Sequence, residues 1–360
     1  MPESIDLLIP AIGEALLHFT WQGALIGLLA AIALRGARHA KAQVRYAIGC
    51  VALLACAIAP VLTVAVQLID VAPATFVGVA NANDTVVITT TSGDAAPPWQ
   101  ARLADWQPLI VALWAAGASV FCLRTLFGVA WVRRMRTAPQ PPLQARWQAT
   151  LDRLGEKFGV RDVALRLVDS LDSPVAAGCW RPVVLLPMSV ALRMPVELVE
   201  ALLAHELAHI RRHDYLVNLL QRAVEALLFY HPVTWWLSHR IRVERELVAD
   251  SLAADAIGDP RRLAVALAAL SDLVQHSPAL PHLAHAAHGG HLMSRIQQLV
   301  RPRANNTSRH GLPAGRIALP LIGVAAACIA FYAQAQIGKP SPVAAAPAAP
   351  AAVAAPAAAA

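Results

Sequence analysis

Four long apolar stretches constrain the fold of this chain more than any other feature. Each is long enough for a helix that crosses a bilayer, which takes about twenty residues. Apolar residues make up 57% of the chain and charged residues 15%, unlike an ordinary soluble enzyme. Buried helices of a large soluble protein are the alternative, but four runs of this length favour a membrane protein. The stretches are Leu7 to Leu34, Ala47 to Ile69, Leu109 to Val132 and Ile317 to Ala335.

Basic residues in the short connections predict the orientation of these spans. The connection between the first two spans contains Arg35, Arg38, Lys41 and Arg45, whereas residues 70–107 contain four Asp and a single Arg. Since cytoplasmic connections carry the excess of Lys and Arg, both termini are expected outside the cytoplasm. This rule also explains the net charge of +7 without direct nucleic-acid binding. We therefore expect a multi-pass protein of the bacterial inner (cytoplasmic) membrane, with the lipid bilayer as a partner.

The same pattern predicts the domain organisation. Residues 1–136 form a membrane region with three transmembrane helices and an extracytoplasmic loop at 70–107. Residues 137–313 have the length of an ordinary domain and are expected in the cytoplasm. A fourth transmembrane helix follows at 314–336. Residues 337–360 consist mostly of Ala and Pro, a composition that predicts a disordered tail.

The cytoplasmic segment contains the sequence His205-Glu206-Leu207-Ala208-His209. On a helix, residues four apart lie on one face, so His205 and His209 can bind one metal ion. Glu206 lies at the edge of that face, where its carboxylate can act on water bound to the metal. This is the His-Glu-x-x-His signature of zinc hydrolases, and we expect one catalytic Zn²⁺. Two histidines that merely pack in a core are the alternative.

A catalytic zinc needs a third protein ligand and keeps one position for water. Glu246, on a later predicted helix, is the candidate, which makes the site gluzincin-type. Asp250 lies four residues beyond it, where its carboxylate can orient a ligand histidine, although an ordinary surface acid is the alternative. Glu206 is expected to act as general base. His213 and Asp214 are interpreted as structural or as partners of the ligands.

The other groups around the site are less well determined by the sequence. Tyr230 and His231 are candidates for stabilising the oxyanion, with simple packing as the alternative. Val183, Val184 and Leu185 form a run bracketed by two prolines, which predicts an edge strand. Such an edge could bind a substrate as an added strand, or could be purely structural. The histidines within residues 276–291 lie among Ala, Gly and Pro, and predict a loop that at most binds metal weakly.

These motifs together resemble the BlaR/MecR family of integral-membrane zinc metallopeptidases. The resemblance covers roughly the first 330 residues and rests on a combination of motifs. It implies three spans, a mainly α-helical architecture with an inserted α+β gluzincin-type peptidase domain, and a fourth span. The matching stretches are Leu16 to Gly23, Gly178 to Pro187, Leu202 to Asp214, Leu228 to Pro232, and Arg245, Glu246 and Asp250.

The chain departs from the antibiotic-sensing members of that family after the fourth span. Those members continue into a penicillin-binding sensor domain, whereas residues 337–360 here consist mostly of Ala and Pro. Direct covalent sensing of β-lactams by this sequence is therefore not expected. A signal would enter through the spans, through residues 70–107, or through a partner such as a second copy of the chain or a separate sensor protein.

The resemblance implies a regulatory endopeptidase whose substrate is a cytosolic protein such as a winged-helix transcriptional repressor, and also itself. Two alternatives remain open. One is a membrane signalling scaffold that keeps zinc as a structural clip and cleaves nothing. The other is a quality-control protease of membrane proteins, as in a related group of membrane gluzincins. The presence of Glu206 favours an enzyme, because a structural zinc needs no general base.

Overall fold

A computed structural model describes residues 2–70, 98–137, 141–275 and 283–300. The predicted fourth span, the Ala/Pro-rich tail and most of the predicted loop 70–107 lie outside these residues. The first three helices are the longest, and each contains a segment long and apolar enough to cross a membrane: Leu8–Gly36, Ala42–Leu68 and Asp105–Thr137. The first three predicted spans are therefore confirmed as membrane-length helices. Their full bounds are α1 Pro2–Gly36, α2 Ala42–Asp70 and α3 Pro98–Thr137.

Shorter helices make up most of the remaining described chain. Prolines set the start of several of them, since proline fits the first turn, where its missing N–H costs no helical hydrogen bond. Gly258 ends α8 in the left-handed conformation (φ 73°), which glycine adopts without strain. These helices are α4 Leu143–Phe158, α5 Met188–Arg193, α6 Val196–Arg211, α7 Asp214–Leu227, α8 Pro232–Ile257, α9 Pro260–Gln275 and α10 Leu283–Val300.

A small mixed sheet completes the described fold. Its strands are β1 Ala164–Val168, β2 Val175–Ala177 and β3 Val183–Pro187, in the spatial order β1-β3-β2. β3 runs parallel to β1 and antiparallel to β2. The sheet therefore has β3 at its centre and the three-residue β2 at one edge.

This order corrects our prediction that Val183, Val184 and Leu185 form an edge strand. The two prolines that suggested an edge flank the strand at its ends, where their missing N–H groups leave the central ladder intact. Both faces of β3 are also covered. Val184 packs into the main core, while Val183 and Leu185 pack into a second cluster on the other face. A strand buried on both faces and paired on both sides offers no edge to a substrate.

The main hydrophobic core joins the sheet to the helices around it. Side chains from α4, β1, β3, α6, the second half of α8 and α9 meet in one cluster. Trp147, Leu151, Leu165, Leu203 and Leu263 are among its largest fully buried members. This core fixes α6 against α8, the two helices that carry the predicted metal ligands.

A separate core joins α7 and α8 to the membrane-length helices. Leu228, Leu237 and Ile241 pack in one buried cluster with Phe19 of α1 and Leu53 of α2. The end of α7 and the first half of α8 thus pack against the long helices. One end of α8 belongs to this cluster and the other to the main core.

Candidate metal centre

Helix α6 places the two predicted histidine ligands side by side. Their spacing of four residues puts them on one face, and Nε2 of His205 lies 3.1 Å from Nε2 of His209. The helix has an acidic side chain, Glu197, in its first turn and a basic one, Arg211, in its last turn. An acid near the start of a helix and a base near its end both interact favourably with the helix dipole. His205 is buried and His209 is half-buried.

Helix α8 brings the predicted third ligand to the same point. Oε2 of Glu246 lies 3.4 Å from Nε2 of His205, and Oε1 lies 3.8 Å from Nε2 of His209. One ligand atom from each of the three residues lies within 4.8 Å of the others. The sequence prediction thus named the three residues that the fold gathers into a group able to hold a metal ion.

The separation of the donor atoms fits a single small cation. Two donors held about 2.1 Å from one zinc ion at tetrahedral angles lie roughly 3.4 Å apart. The two Nε2 atoms and the carboxylate of Glu246 are close to this spacing. In neutral imidazoles whose protons sit on Nδ1, both Nε2 lone pairs would face each other and a carboxylate. That arrangement is repulsive unless a cation lies between them.

A carboxylate faces the other nitrogen of each histidine. Nδ1 of His205 lies 3.0 Å from Oδ1 of Asp250, and Nδ1 of His209 lies 2.8 Å from Oδ2 of Asp214. Such carboxylates keep the proton on Nδ1 and point Nε2 at the metal. The predicted role of Asp250 as a partner of a ligand histidine is therefore matched by its position. Asp214, which the sequence left between two roles, takes the equivalent position beside His209.

The electrostatics of the cluster favour a positive charge between the ligands. Burial lowers the pKa of His205, but the carboxylates of Asp250 and Glu246 outweigh burial and raise this pKa to about 10. Burial raises the pKa of Glu246, but contact with His205 outweighs it and holds that pKa well below its usual range. A proton on His205 thus supplies the positive charge in the metal-free site, and a metal ion would take its place.

Glu206 is fixed beside the ligands by the sheet. The backbone N–H of Ala176, in the edge strand β2, donates a 2.7 Å hydrogen bond to Oε2 of Glu206. Glu206, the two histidines and Glu246 all line one cavity of about 570 Å³, together with β2. The edge strand next to the site is therefore β2. With three residues between Pro174 and Gly178, β2 is too short to give a periodic signal, so the sequence did not predict it.

Arg295 of α10 is a second residue that the sequence did not indicate. Its guanidinium makes two hydrogen bonds to Asp250, from Nε to Oδ2 (2.7 Å) and from Nη2 to Oδ1 (2.8 Å). Its Nη1 lies 3.5 Å from Oε2 of Glu246. Arg295 thus neutralises one of the two carboxylates that face His205 and fixes the orientation of Asp250. The pairing joins residues 45 apart in the chain, so no local spacing could reveal it.

The first turns of α2 also reach the site. Arg212 contacts Asp214 (Nη1 to Oδ2, 3.4 Å), and its guanidinium lies 4.8 Å from the centre of the Tyr46 ring. Arg45 makes an ion pair of 2.7 Å with the buried Glu244, two residues before Glu246. Arg45, one of the basic residues that predicted the orientation of the spans, is therefore bound to α8, the helix that carries Glu246.

The remaining predicted residues lie in different places. His213 has a left-handed backbone (φ 56°), precedes α7 and lines the cavity. Tyr230 and His231 instead donate hydrogen bonds to backbone carbonyls of α1, and neither is among the described residues that line the cavity. Packing is thus the role that their contacts support. Residues 276–282 of the histidine-rich segment lie outside the described chain. The predicted loop is wrong for residues 283–291, which begin α10, because their Ala and Leu residues favour a helix.

Comparison with known proteins agrees with this site. The sequence model of the BlaR1 peptidase M56 family matches residues 15–299, which include every residue of the metal centre. The chain belongs to the BlaR1 peptidase M56 family. It is also 25% identical over 140 residues to regulatory protein BlaR1 of Bacillus licheniformis. That stretch covers 39% of this chain and 23% of the length of BlaR1. The match thus places the chain in a peptidase family, and its first three helices have the length and apolar composition of membrane spans.

Proposed function

We propose that this M56 family member is a membrane-embedded zinc endopeptidase with a gluzincin-type site. The observation that carries the proposal is the convergence of His205, His209 and Glu246 next to a fixed Glu206. Imidazole and carboxylate donors suit zinc, and a third ligand from a second helix completes a catalytic set of three. When bound, zinc would lower the pKa of a water molecule and polarise the carbonyl of the peptide.

The residues of the chain would supply the proton transfers. Glu206 accepts a proton from the attacking water and passes it to the leaving amine. The hydrogen bond from the Ala176 N–H holds its carboxylate in one orientation, which reduces the cost of positioning it during the reaction. Asp250 and Asp214 hold the two imidazoles with Nε2 towards the cavity.

The substrate that fits the cavity is an extended polypeptide. β2 is the edge strand of the sheet, lines the cavity and is joined to Glu206 by its own backbone. A peptide that runs along this edge would pass next to Glu206 and the ligands, and would pair with outward groups of β2 other than the Ala176 N–H, which is bonded to Glu206. We therefore propose that β2, and not β3, is the substrate-binding edge.

A regulatory role is the form of this activity that we favour. The relative in Bacillus licheniformis is a regulatory protein, and the matched stretch of this chain covers only part of that relative. We propose that a cytosolic protein such as a winged-helix repressor is the substrate, with self-cleavage as a second reaction. This assignment includes four spans, a cytoplasmic peptidase domain, termini outside, and a signal received through a second copy or a separate sensor protein.

A signalling scaffold with a structural zinc and a quality-control protease are the competing functions. A scaffold needs the three ligands but has no use for Glu206 or for its hydrogen bond to β2. A quality-control enzyme would cleave many membrane proteins, whereas a regulator would cleave one or a few. The number and location of the products therefore distinguish the two proteases.

The decisive experiment compares wild type with Glu206→Gln in lipid nanodiscs. Bound metal is measured by mass spectrometry, and cleavage is followed in a co-expressed proteome. We expect equal zinc in both proteins and new products from the wild type alone. Glu197→Gln is the matched control, because Glu197 is an exposed acid on the same helix. Equal products from wild type and Glu206→Gln would refute the proposed base, and zinc in neither protein would refute the metal site.

A further inference from the structure

The turn between α7 and α8 lies deep among the membrane-length helices. The hydroxyl of Tyr230 donates a hydrogen bond to the backbone oxygen of Leu16 (3.1 Å), and Nε2 of His231 donates one to the oxygen of Thr20 (3.1 Å). Both acceptors belong to α1. The ring of His231 also packs against Phe19, with ring centres 5.1 Å apart. The tip of the α7–α8 hairpin is therefore bound to the body of α1 and not to its end.

The position of these contacts along α1 gives their depth. A helix rises 1.5 Å per residue, so Thr20 lies about 24 Å from Gly36 along the axis and about 18 Å from Leu8. Leu8 and Gly36 bound the membrane-length segment of α1. The metal-site end of the hairpin lies near Gly36, because Arg45, just after the α1–α2 connection, pairs with Glu244. The hairpin thus enters from the metal-site end and reaches the middle of the span.

Contacts with α3 independently place the turn at the same depth. Nε1 of Trp114 donates a hydrogen bond of 2.7 Å to the oxygen of Leu227, the last residue of α7. Phe121 packs against Phe229 and Trp235, with ring centres 5.6 and 5.8 Å away. Trp114 lies about 14 Å along the axis from the Asp105 end of the apolar segment of α3. Two long helices therefore place the turn within the apolar layer.

Close approach of the turn requires glycine on α1. A β-carbon at Gly23 would lie 2.8 Å from Nε2 of His231, and one at Gly27 would lie 2.6 Å from a methyl group of Val233. Both distances are shorter than side chains tolerate. The surface of α1 thus has a groove, four residues long, that accepts the start of α8.

Three successive backbone carbonyls of the turn receive hydrogen bonds from protein. The oxygen of Leu227 accepts from Trp114, that of Phe229 accepts from Nε1 of Trp235 (2.7 Å), and that of Leu228 accepts from the N–H of His231 (3.1 Å). A turn in water needs no such side-chain donors. In hydrocarbon, non-helical backbone is tolerated only where protein supplies its hydrogen bonds.

The outward face of the hairpin is apolar. Leu220 is 60% exposed and Leu227 is 47% exposed, and Leu216 and Trp236 extend the same exposed surface. Arg222 is the exposed charged side chain on α7, and it is paired with Glu225 (3.0 Å). Helix α3, which packs against α7, also exposes apolar side chains such as Leu123.

We propose that α7 and the first half of α8 form a re-entrant membrane hairpin whose outward face contacts lipid acyl chains. Residues from about 216 to 236 then belong to the apolar layer, although they fall in the segment predicted to be cytoplasmic. From His231 to Glu244 the helix rises about 20 Å, so the metal centre lies at the membrane surface. The proposal rests on insertion of α1–α3 in the bilayer and is independent of whether the site cleaves peptides.

Spin labels test this assignment at exposed positions, where substitution does not disturb packing. In a background with the five cysteines changed to alanine, Leu220→Cys and Leu227→Cys are labelled in phospholipid vesicles. Collision rates with oxygen, which concentrates in lipid, are compared with those of a water-soluble nickel chelate. Leu123→Cys on α3 is the lipid control, and Leu192→Cys on α5, 67% exposed, is the water control.

We expect oxygen to exceed the nickel chelate at Leu220 and Leu227, as at Leu123, and the ratio to invert at Leu192. The label at Leu227 should lie deeper than that at Leu220. A water-like ratio at both hairpin positions, with a lipid-like Leu123, would overturn the proposal. Low collision rates with both reagents would mean that protein covers this face, which also overturns it. A water-like Leu123 would refute the insertion of α3 on which the proposal depends.

Discussion

The two histidines of the metal centre have the same kind of partner but are oriented from different parts of the molecule. His205 faces Asp250, whose carboxylate is held by Arg295 of α10. His209 is bonded to Asp214, which contacts Arg212.

The contacts around His209 extend to the membrane-length helices. The guanidinium of Arg212 lies over the ring of Tyr46, at the start of α2. Tyr46 of α2 is therefore linked to His209 through Arg212 and Asp214. Helix α10 is linked to His205 through Arg295 and Asp250.

The largest effect is expected from Asp250→Ala. Loss of the carboxylate frees His205 and leaves the largely buried guanidinium of Arg295 with only its longer contact to Glu246. Breaking a buried ion pair costs about 3–5 kcal/mol of stability. Loss of a carboxylate that orients a ligand lowers metal affinity about 10–100-fold. Thermal unfolding in detergent and zinc titration against a competing chelator measure the two effects.

A second substitution separates the two effects of Asp250. Adding Arg295→Met to Asp250→Ala removes the guanidinium, so part of the stability should return while metal affinity stays low. Unchanged zinc affinity in Asp250→Ala would contradict the orienting role of this residue.

The next effect is that of Asp214→Ala. Metal affinity should again fall about 10–100-fold, because His209 loses its partner. The loss of stability should be smaller than for Asp250→Ala, since Arg212 keeps its contacts with the oxygen of Arg245 and with Tyr46. The same titrations apply, and Asp152→Ala, at an exposed acid on α4, is the control. Equal destabilisation by Asp250→Ala and Asp214→Ala would show that the contacts around His205 and those around His209 contribute equally to stability.

A third test uses the proton on His205. With a pKa of about 10, His205 is protonated at pH 7.5 in the metal-free protein, and a metal needs the neutral imidazole. Zinc binding should therefore release about one proton from this residue, and affinity should fall as the pH falls. Above pH 10 the release should vanish. Calorimetry in buffers of different ionisation enthalpy measures the release, and its absence at pH 7.5 would contradict the assignment.

The smallest effect is expected at Tyr46. A cation over an aromatic ring contributes about 0.5–1 kcal/mol at a partly exposed position. Tyr46→Leu should thus weaken metal binding about 2–5-fold, and Tyr46→Phe, which keeps the ring, should not.

Double variants show which histidine Tyr46 serves. Its effect should disappear in an Asp214→Ala background and persist in an Asp250→Ala background, as a double-mutant cycle measures. The reverse result would show that the membrane helices act on His205.

Local spacing made the centre of the site predictable. His205, Glu206 and His209 lie within one helical turn, and Asp250 follows Glu246 by one turn, so geometry within single helices decides their placement. The three described spans were predictable for a similar reason, since length and hydropathy are local properties.

Contacts between distant segments were not predictable in this way. Arg295, Arg212 and Tyr46 reach the site through packing, and nothing in their local sequence marks them. The sheet shows the same limit. The prolines around β3 suggested an edge, but strand order depends on which segments pair, and the short β2 takes the edge instead.

The hydrogen bond from Ala176 to Glu206 has a consequence for how this site can vary. Its donor belongs to the main chain, so any residue except proline can occupy position 176 and still supply it. The orientation of Glu206 is therefore insensitive to the identity of its neighbour and sensitive to strand register. A shift of β2 by one residue along β3 would replace an N–H that points at Glu206 with one that points away from it. We therefore expect insertions or deletions between Pro174 and Gly178 to disturb the orientation of Glu206 more than substitutions there.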